Sequence, residues 1–121
     1  MRNVLLLVED DILVCQCVAE NLRDEGFEVL EANTVSEAIT LLKSETVNIL
    51  FTDIMLPDGT GWHLAETARN HYPFLQVVYA SGGVIQPDAT QPDKVSGGFL
   101  INKPYDTKTL AKIFHTGRLI D

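Results

Sequence analysis

Positive charge is scarce in this chain: nine lysines and arginines stand against seventeen aspartates and glutamates, a formal net charge of -8. Such a surface repels phosphate backbones and anionic lipid, which excludes nucleic acid and the membrane surface as direct partners. A divalent cation or a basic protein face stays compatible with it. Long hydrophobic runs are also missing, and the apolar stretches are too short to cross a bilayer. The start, MRNVLLLVEDD, begins like a signal peptide, but acids at 9 to 11 cut it short and no cleavage site follows. A cytoplasmic location is the expectation. Only two cysteines occur, Cys15 and Cys17, one residue apart in a helical pattern. That spacing is neither a CxxC pair nor a metal set, and Cys15 reads as a small hydrophobe on the apolar stripe. GxGxxG after the first strand and GxxxxGK[ST] are both lacking, which disfavours the two nucleotide folds they mark. His63, His71 and His115 show no ligand spacing and read as ordinary helix residues.

What is present is enough for one domain with a real core, spanning 1–121, with 45% hydrophobic residues. NVLLLV at 3–8 is a continuous apolar run of the kind that a strand buried on both faces requires. Residues 12–25 carry Ile12, Cys15, Val18, Ala19 and Leu22 on one helical face, and Gly26 supplies the stop. FEVLE at 27–31 is a second strand. Thr34 and Glu37 have capping-box spacing ahead of a helix bearing Val35, Ala38, Ile39 and Leu42. VNILFT at 47–52 is a third strand, followed by a helical segment over 60–71 with Trp62, Ala65 and Ala68. LQVVYA at 75–80 and GFLIN at 98–102 are the last two strands, and a helix from Thr107 closes the chain with Leu110, Ala111, Ile113 and Phe114. Buried strands joined by crossover helices give an α/β fold with a doubly wound, five-stranded parallel sheet.

Ligands of such sheets bind at the carboxyl ends of the strands. There the sequence places Glu9, Asp10 and Asp11 after the first strand, Asp53 after the third, Ser81 after the fourth and Lys103 after the fifth. Carboxylates converging from two strands repel one another, and a hard divalent cation with oxygen ligands, Mg²⁺, removes that cost. Lys103 adds a mobile positive charge beside Asp53, and Ser81 adds a hydroxyl. The set suits a carboxylate nucleophile that attacks a phosphoryl group while metal and lysine neutralise its oxygens.

In this order LLLVEDD at 5–11, TDIMLPDGTG at 52–61, YASG at 79–82 and INKPY at 101–105 resemble the receiver domain of two-component response regulators across nearly the whole chain. The resemblance implies a flavodoxin-like fold and a phosphoprotein of a phosphorelay. Asp53 would be the phosphorylated aspartate. Glu9 and Asp10 would hold Mg²⁺, Asp10 directly and Glu9 largely through water, with Asp53 and the Met55 backbone carbonyl completing the metal set. Ser81 would hydrogen-bond the phosphoryl group and Lys103 would pair with it, followed by Pro104, often with a cis bond before it in this family. Asp11 is expected to stand outside the ligand set, and Pro57 and Gly61 to shape the loop after Asp53. The implied partners are a sensor histidine kinase or a histidine phosphotransfer protein, and a downstream protein that reads a change of conformation. The receiver would catalyse its own phosphorylation and dephosphorylation.

Two departures from the family pattern stand out. Where the family has an aromatic switch residue three positions before the lysine, this chain has Leu100, with Phe99 beside it. Phe99 could serve only by a one-residue register shift, which would turn it to the other face. The segment GGVIQPDATQPDKVSGG at 82–98 carries Pro87 and Pro92 and offers a shortened or irregular fourth helix, at most a turn or two within 88–95. The expectation is a stand-alone receiver, with an excised domain of a longer regulator as the other origin. A non-phosphorylated pseudo-receiver acting as a protein-interaction module is the alternative function. A small phosphatase using Asp53 would need a substrate-covering cap, and 82–98 carries only Lys94 as a cation for that purpose.

Overall fold

The computed structural model describes residues 3–82 and 98–116. Strands β1 (Val4–Val8), β2 (Glu28–Ala32), β3 (Ile49–Asp53), β6 (Gln76–Ser81) and β7 (Phe99–Asn102) form one sheet in the order β2-β1-β3-β6-β7. All four pairings are parallel. A two-stranded antiparallel hairpin, β4 (Met55–Leu56) and β5 (Gly59–Thr60), follows Asp53. The helices among the described residues are α1 (Ile12–Asp24), α2 (Val35–Ser44), α3 (Gly61–His71) and α4 (Thr107–Thr116). The five sheet strands and these four helices fall where the sequence places them, whereas the hairpin is an addition to the expected loop.

The unbroken apolar strands are explained by two cores, one on each face of the sheet. Leu5, Leu7, Phe51, Val78 and Ala80 point into a cluster with Cys15, Leu22, Leu110 and Phe114 from α1 and α4. Leu6, Val8, Leu50, Val77 and Tyr79 point the other way, into a cluster with Ala38, Leu42, Leu64 and Ala68 from α2 and α3. Alternate residues of one strand thus feed opposite cores; β1 is apolar throughout, and β3 carries polar side chains only at its last two positions, Thr52 and Asp53.

Helix ends follow their signals. Asp11 caps α1 by accepting from the Val14 N–H at 3.1 Å, Thr34 caps α2 through the Glu37 N–H at 3.0 Å, and Thr60 caps α3 through the His63 N–H at 3.2 Å. The Glu37 carboxylate reaches back to the Asn33 N–H at 2.7 Å, one residue before the position a capping box would use. Gly26 ends the α1 region with φ +98°, a conformation that favours glycine.

One stripe residue departs from expectation. Ile12 is 58% exposed, because the first residue of α1 lies beyond the end of β1 with no strand beneath it. Leu64, not Trp62, completes the buried face of α3; Trp62 is half-buried, its ring 4.4 Å from that of Tyr79. Cys15 is buried and Cys17 exposed, as the stripe requires. Leu100 pairs with Tyr79 in the sheet and packs in the same cluster, so the register is unshifted and leucine stands at the position three before Lys103. The expected turn or short helix within 88–95 lies outside the described residues. No helix among the described residues is long and apolar enough to cross a membrane.

Candidate functional site

The strand order reverses direction between β1 and β3, and a doubly wound sheet opens its crevice at such a point. Backbone bonds hold the segments that leave it. The Glu9 N–H donates to the Ala32 carbonyl at 3.0 Å, the Ile54 N–H to Ala80 at 3.1 Å, and the Lys103 N–H to Ser81 at 2.8 Å. The strands therefore deliver Glu9, Asp10, Asp53, Ser81 and Lys103 to one edge, as expected from positions spread over most of the sequence. The peptide between Lys103 and Pro104 is cis, also as expected.

Glu9 and Asp53 are buried while Asp10 is exposed, and one carboxylate oxygen from each lies within 4.8 Å of the others. The Lys103 Nζ is 2.8 Å from Glu9 Oε1 and 2.8 Å from Asp53 Oδ1, so a single ammonium bridges two buried acids. The second oxygen of Glu9, Oε2, accepts from the Asp11 N–H at 3.1 Å. Asp11 itself turns away to cap α1 and is no member of the acid set, which agrees with the sequence reading.

Two buried carboxylates and one cation do not balance. Burial, then the hydrogen-bonded and charged Glu9, push Asp53 up to about 7 against the pull of Lys103. Burial also works against ionised Glu9, but its hydrogen bonds with Asp53, Lys103 and the Asp11 N–H bring it below the usual carboxylate range. Burial would lower the Lys103 ammonium, and its bonds to Asp53 and Glu9 carry it well above the ordinary lysine value instead. With Asp10 beside them, three acids face the single Lys103 ammonium, and negative charge is in surplus. An all-oxygen donor set with surplus negative charge at a crevice mouth fits a hard divalent ion, and the acidic cluster has the character of the Mg²⁺ site of receiver domains. The exposure of Asp10 suits Mg²⁺, an ion that retains water ligands.

Met55 begins β4 and is 72% exposed. Ser81 ends β6, half-buried, opposite Asn102 of β7. Three contributors escape sequence reasoning. The buried Thr52 hydroxyl donates to the Asp53 carbonyl at 2.9 Å. The Asn33 side-chain amide donates to the Glu9 carbonyl at 2.8 Å. The Tyr105 ring packs edge-on against Phe51 at 5.3 Å, and burial raises its phenol to about 12. Thr52 and Tyr105 lie within the quoted motifs, at 52–61 and 101–105; no local pattern marks Asn33.

Residues 5–115 match the model of the response regulator receiver domain. The chain is 29% identical over 117 residues to the response regulator receiver protein CpdR of Brucella abortus, covering 97% of this chain and 90% of that protein. It is 26% identical over 117 residues to the probable transcriptional regulator ycf29 of Pyropia yezoensis, covering 95% of this chain and only 53% of that protein. Among solved structures, a CheY-like receiver domain protein of Methanospirillum hungatei superposes with a TM-score of 0.87 at 25% identity, covering 97% of this chain and 94% of that one.

Proposed function

The chain belongs to the response regulator receiver family, and from that premise we propose that it accepts a phosphoryl group on Asp53 in a Mg²⁺-dependent reaction. The observation that carries this is the Lys103 ammonium bridging Glu9 and Asp53 in a cluster of three acids. Family membership implies a histidine kinase or histidine phosphotransfer protein as partner. The donor on this reading is a phosphohistidine. An Asp53 carboxylate oxygen attacks phosphorus, the P–N bond breaks, and the electron pair leaves on the imidazole, which takes up a proton. The product is an aspartyl phosphate, and attack by water on phosphorus returns Asp53 and inorganic phosphate.

Glu9, Asp10, Asp53 and the Met55 carbonyl would hold the ion, which supplies charge neutralisation for the phosphoryl oxygens and for the acids themselves. Lys103 has to let go of the Asp53 oxygen as that oxygen bonds to phosphorus, and its ammonium then pairs with a phosphoryl oxygen. Ser81 donates its hydroxyl to another. Because Ser81 ends β6, its movement toward the phosphoryl group acts on the chain that follows, which gives the signal a route outward. The approach of a donor protein is served by Ile12, Leu13, Val14 and Met55, which are 58%, 77%, 39% and 72% exposed beside the acids. Exposed apolar side chains next to an acidic crevice suit a protein surface carrying the phosphohistidine.

Incubation with acetyl phosphate and Mg²⁺ tests the assignment by intact-mass analysis. One phosphoryl adduct is expected on the wild type and none on Asp53→Ala. Equal labelling of both proteins would place the phosphoacceptor elsewhere, and no labelling of either would favour the interaction-module alternative.

A further inference from the structure

The first turn of α2 is held from outside the helix. An α-helix begins with N–H groups that have no partner within it. The Glu37 N–H is taken by Thr34, at 3.0 Å. The Val35 and Ser36 N–H groups are taken by the two oxygens of Asp58, at 2.8 Å to Oδ1 and 3.0 Å to Oδ2. Asp58 is 22 and 23 residues away in sequence from those donors, in the two-residue turn of the β4–β5 hairpin. A carboxylate at a helix N-terminus is also favoured by the helix dipole, and its bonds to Val35 and then Ser36 lower its pKa.

The same hairpin carries Met55 two residues after Asp53. Its base is fixed by the Gly61 N–H donating to the Ile54 carbonyl at 2.7 Å. Its side lies against Val35, where a Cβ on Gly59 would stand 3.2 Å from the Val35 Cγ2. Its tip has Asp58. The other acid-bearing loop reaches the same region, since Asn33, two residues before Val35, bonds the Glu9 carbonyl. The start of α2 therefore touches both loops of the acid site without contributing a side chain to it.

We propose that Asp58 is a positioning residue for the metal site: by clamping the hairpin tip to the first turn of α2, it fixes the Met55 carbonyl relative to Glu9, Asp10 and Asp53. The clamp acts as an outer-shell partner does, through the placement of a ligand, and it makes metal occupancy and the order of the α2 N-terminus mutually dependent. This rests on the metal site proposed above.

Calorimetric titration with Mg²⁺, on the wild type and on Asp58→Ala, Asp58→Asn and Thr34→Ala, tests it alongside amide exchange at Val35 and Ser36. Thr34→Ala removes a cap from the same turn but leaves both Asp58 bonds in place. Asp58→Ala is expected to bind Mg²⁺ about tenfold more weakly, at the low end for an outer-shell partner. Asp58→Asn, which keeps one acceptor oxygen, is expected to fall between it and the wild type, and Thr34→Ala to stay within about twofold of the wild type. Mg²⁺ is expected to slow exchange at the Val35 and Ser36 amides in the wild type and to have no effect on them in Asp58→Ala. Wild-type affinity in Asp58→Ala would overturn the proposal, and so would equal weakening by Asp58→Ala and Thr34→Ala, since that is plain loss of helix stability. Absence of Mg²⁺ binding by the wild type would overturn the metal site itself, a result visible before any variant is compared.

Discussion

At the scale of single residues, the acid site is a conflict held in place by its surroundings. Asp53 ends a strand whose five residues are all buried, so its carboxylate cannot retreat into water. Its pKa in the folded protein, about 7, lies above the ordinary 3.8. The folded protein thus retains a proton that the unfolded chain has released across that interval. Stability from this group is complete below the lower value and drains away as pH rises through the higher one. Asp53→Asn has no such proton to lose. Without metal it is expected to be more stable than the wild type at pH 8, by on the order of 2 kcal/mol. The advantage should shrink steadily toward pH 4.5. Urea unfolding followed by circular dichroism at a series of pH values measures this. A less stable Asp53→Asn at pH 8 would mean that the Lys103–Asp53 pair outweighs the cost of burying both acids.

At the scale of elements, the loop after Asp53 is where packing and chemistry meet. Gly61 opens α3, a place where alanine would ordinarily strengthen the helix by up to about 1 kcal/mol. A Cβ there would stand 2.4 Å from the Asp53 carbonyl oxygen and 3.1 Å from the Thr52 Cγ2. The first of these is backbone and cannot swing aside, so the loop or the end of β3 has to move. The clash wins over the propensity. Gly61→Ala is expected to cost about 1–3 kcal/mol in urea unfolding and to slow labelling by acetyl phosphate, because the displaced atoms belong to Asp53 and its neighbour. Gly59→Ala meets only the end of the Val35 side chain, at 3.2 Å, and should cost less on both measures. A Gly61→Ala protein with wild-type stability and labelling would mean that this loop tolerates displacement.

At the scale of the whole molecule, β1, β3, β6 and β7 were legible as apolar runs whose alternate residues feed opposite cores, a pattern that leaves little else for VLLLV or ILFTD to be, and β2 was legible as a brief alternation that leaves Glu28 and Glu31 exposed. The acids, Ser81 and Lys103 were legible because parallel topology sends every strand end to one edge. The Asp58 clamp and the Asn33 bond were not, since each is a contact across more than 20 residues made by a polar side chain in a turn, where composition predicts only solvent. Ile12 was misplaced for a related reason: helical period says which side a residue faces, not where the sheet beneath it ends. The two cores share a single sheet, and the charge conflict sits at its reversal point, between β1 and β3. Relieving the conflict should therefore stabilise the folded chain as a whole. A cation bound only by the folded state adds RT ln(1 + [L]/Kd), about 2.7 kcal/mol at a hundred times Kd. For a chain of this size that raises Tm by several degrees. Saturating Mg²⁺ at pH 8 is expected to produce this shift in the wild type and a much smaller one in Asp53→Asn, which has lost a ligand charge and the repulsion between the two buried acids. Thermal melts at matched ionic strength, with Na⁺ in place of Mg²⁺ as the reference, separate site binding from general screening. An equal rise in both proteins would assign the effect to the acidic surface at large rather than to Glu9, Asp10 and Asp53.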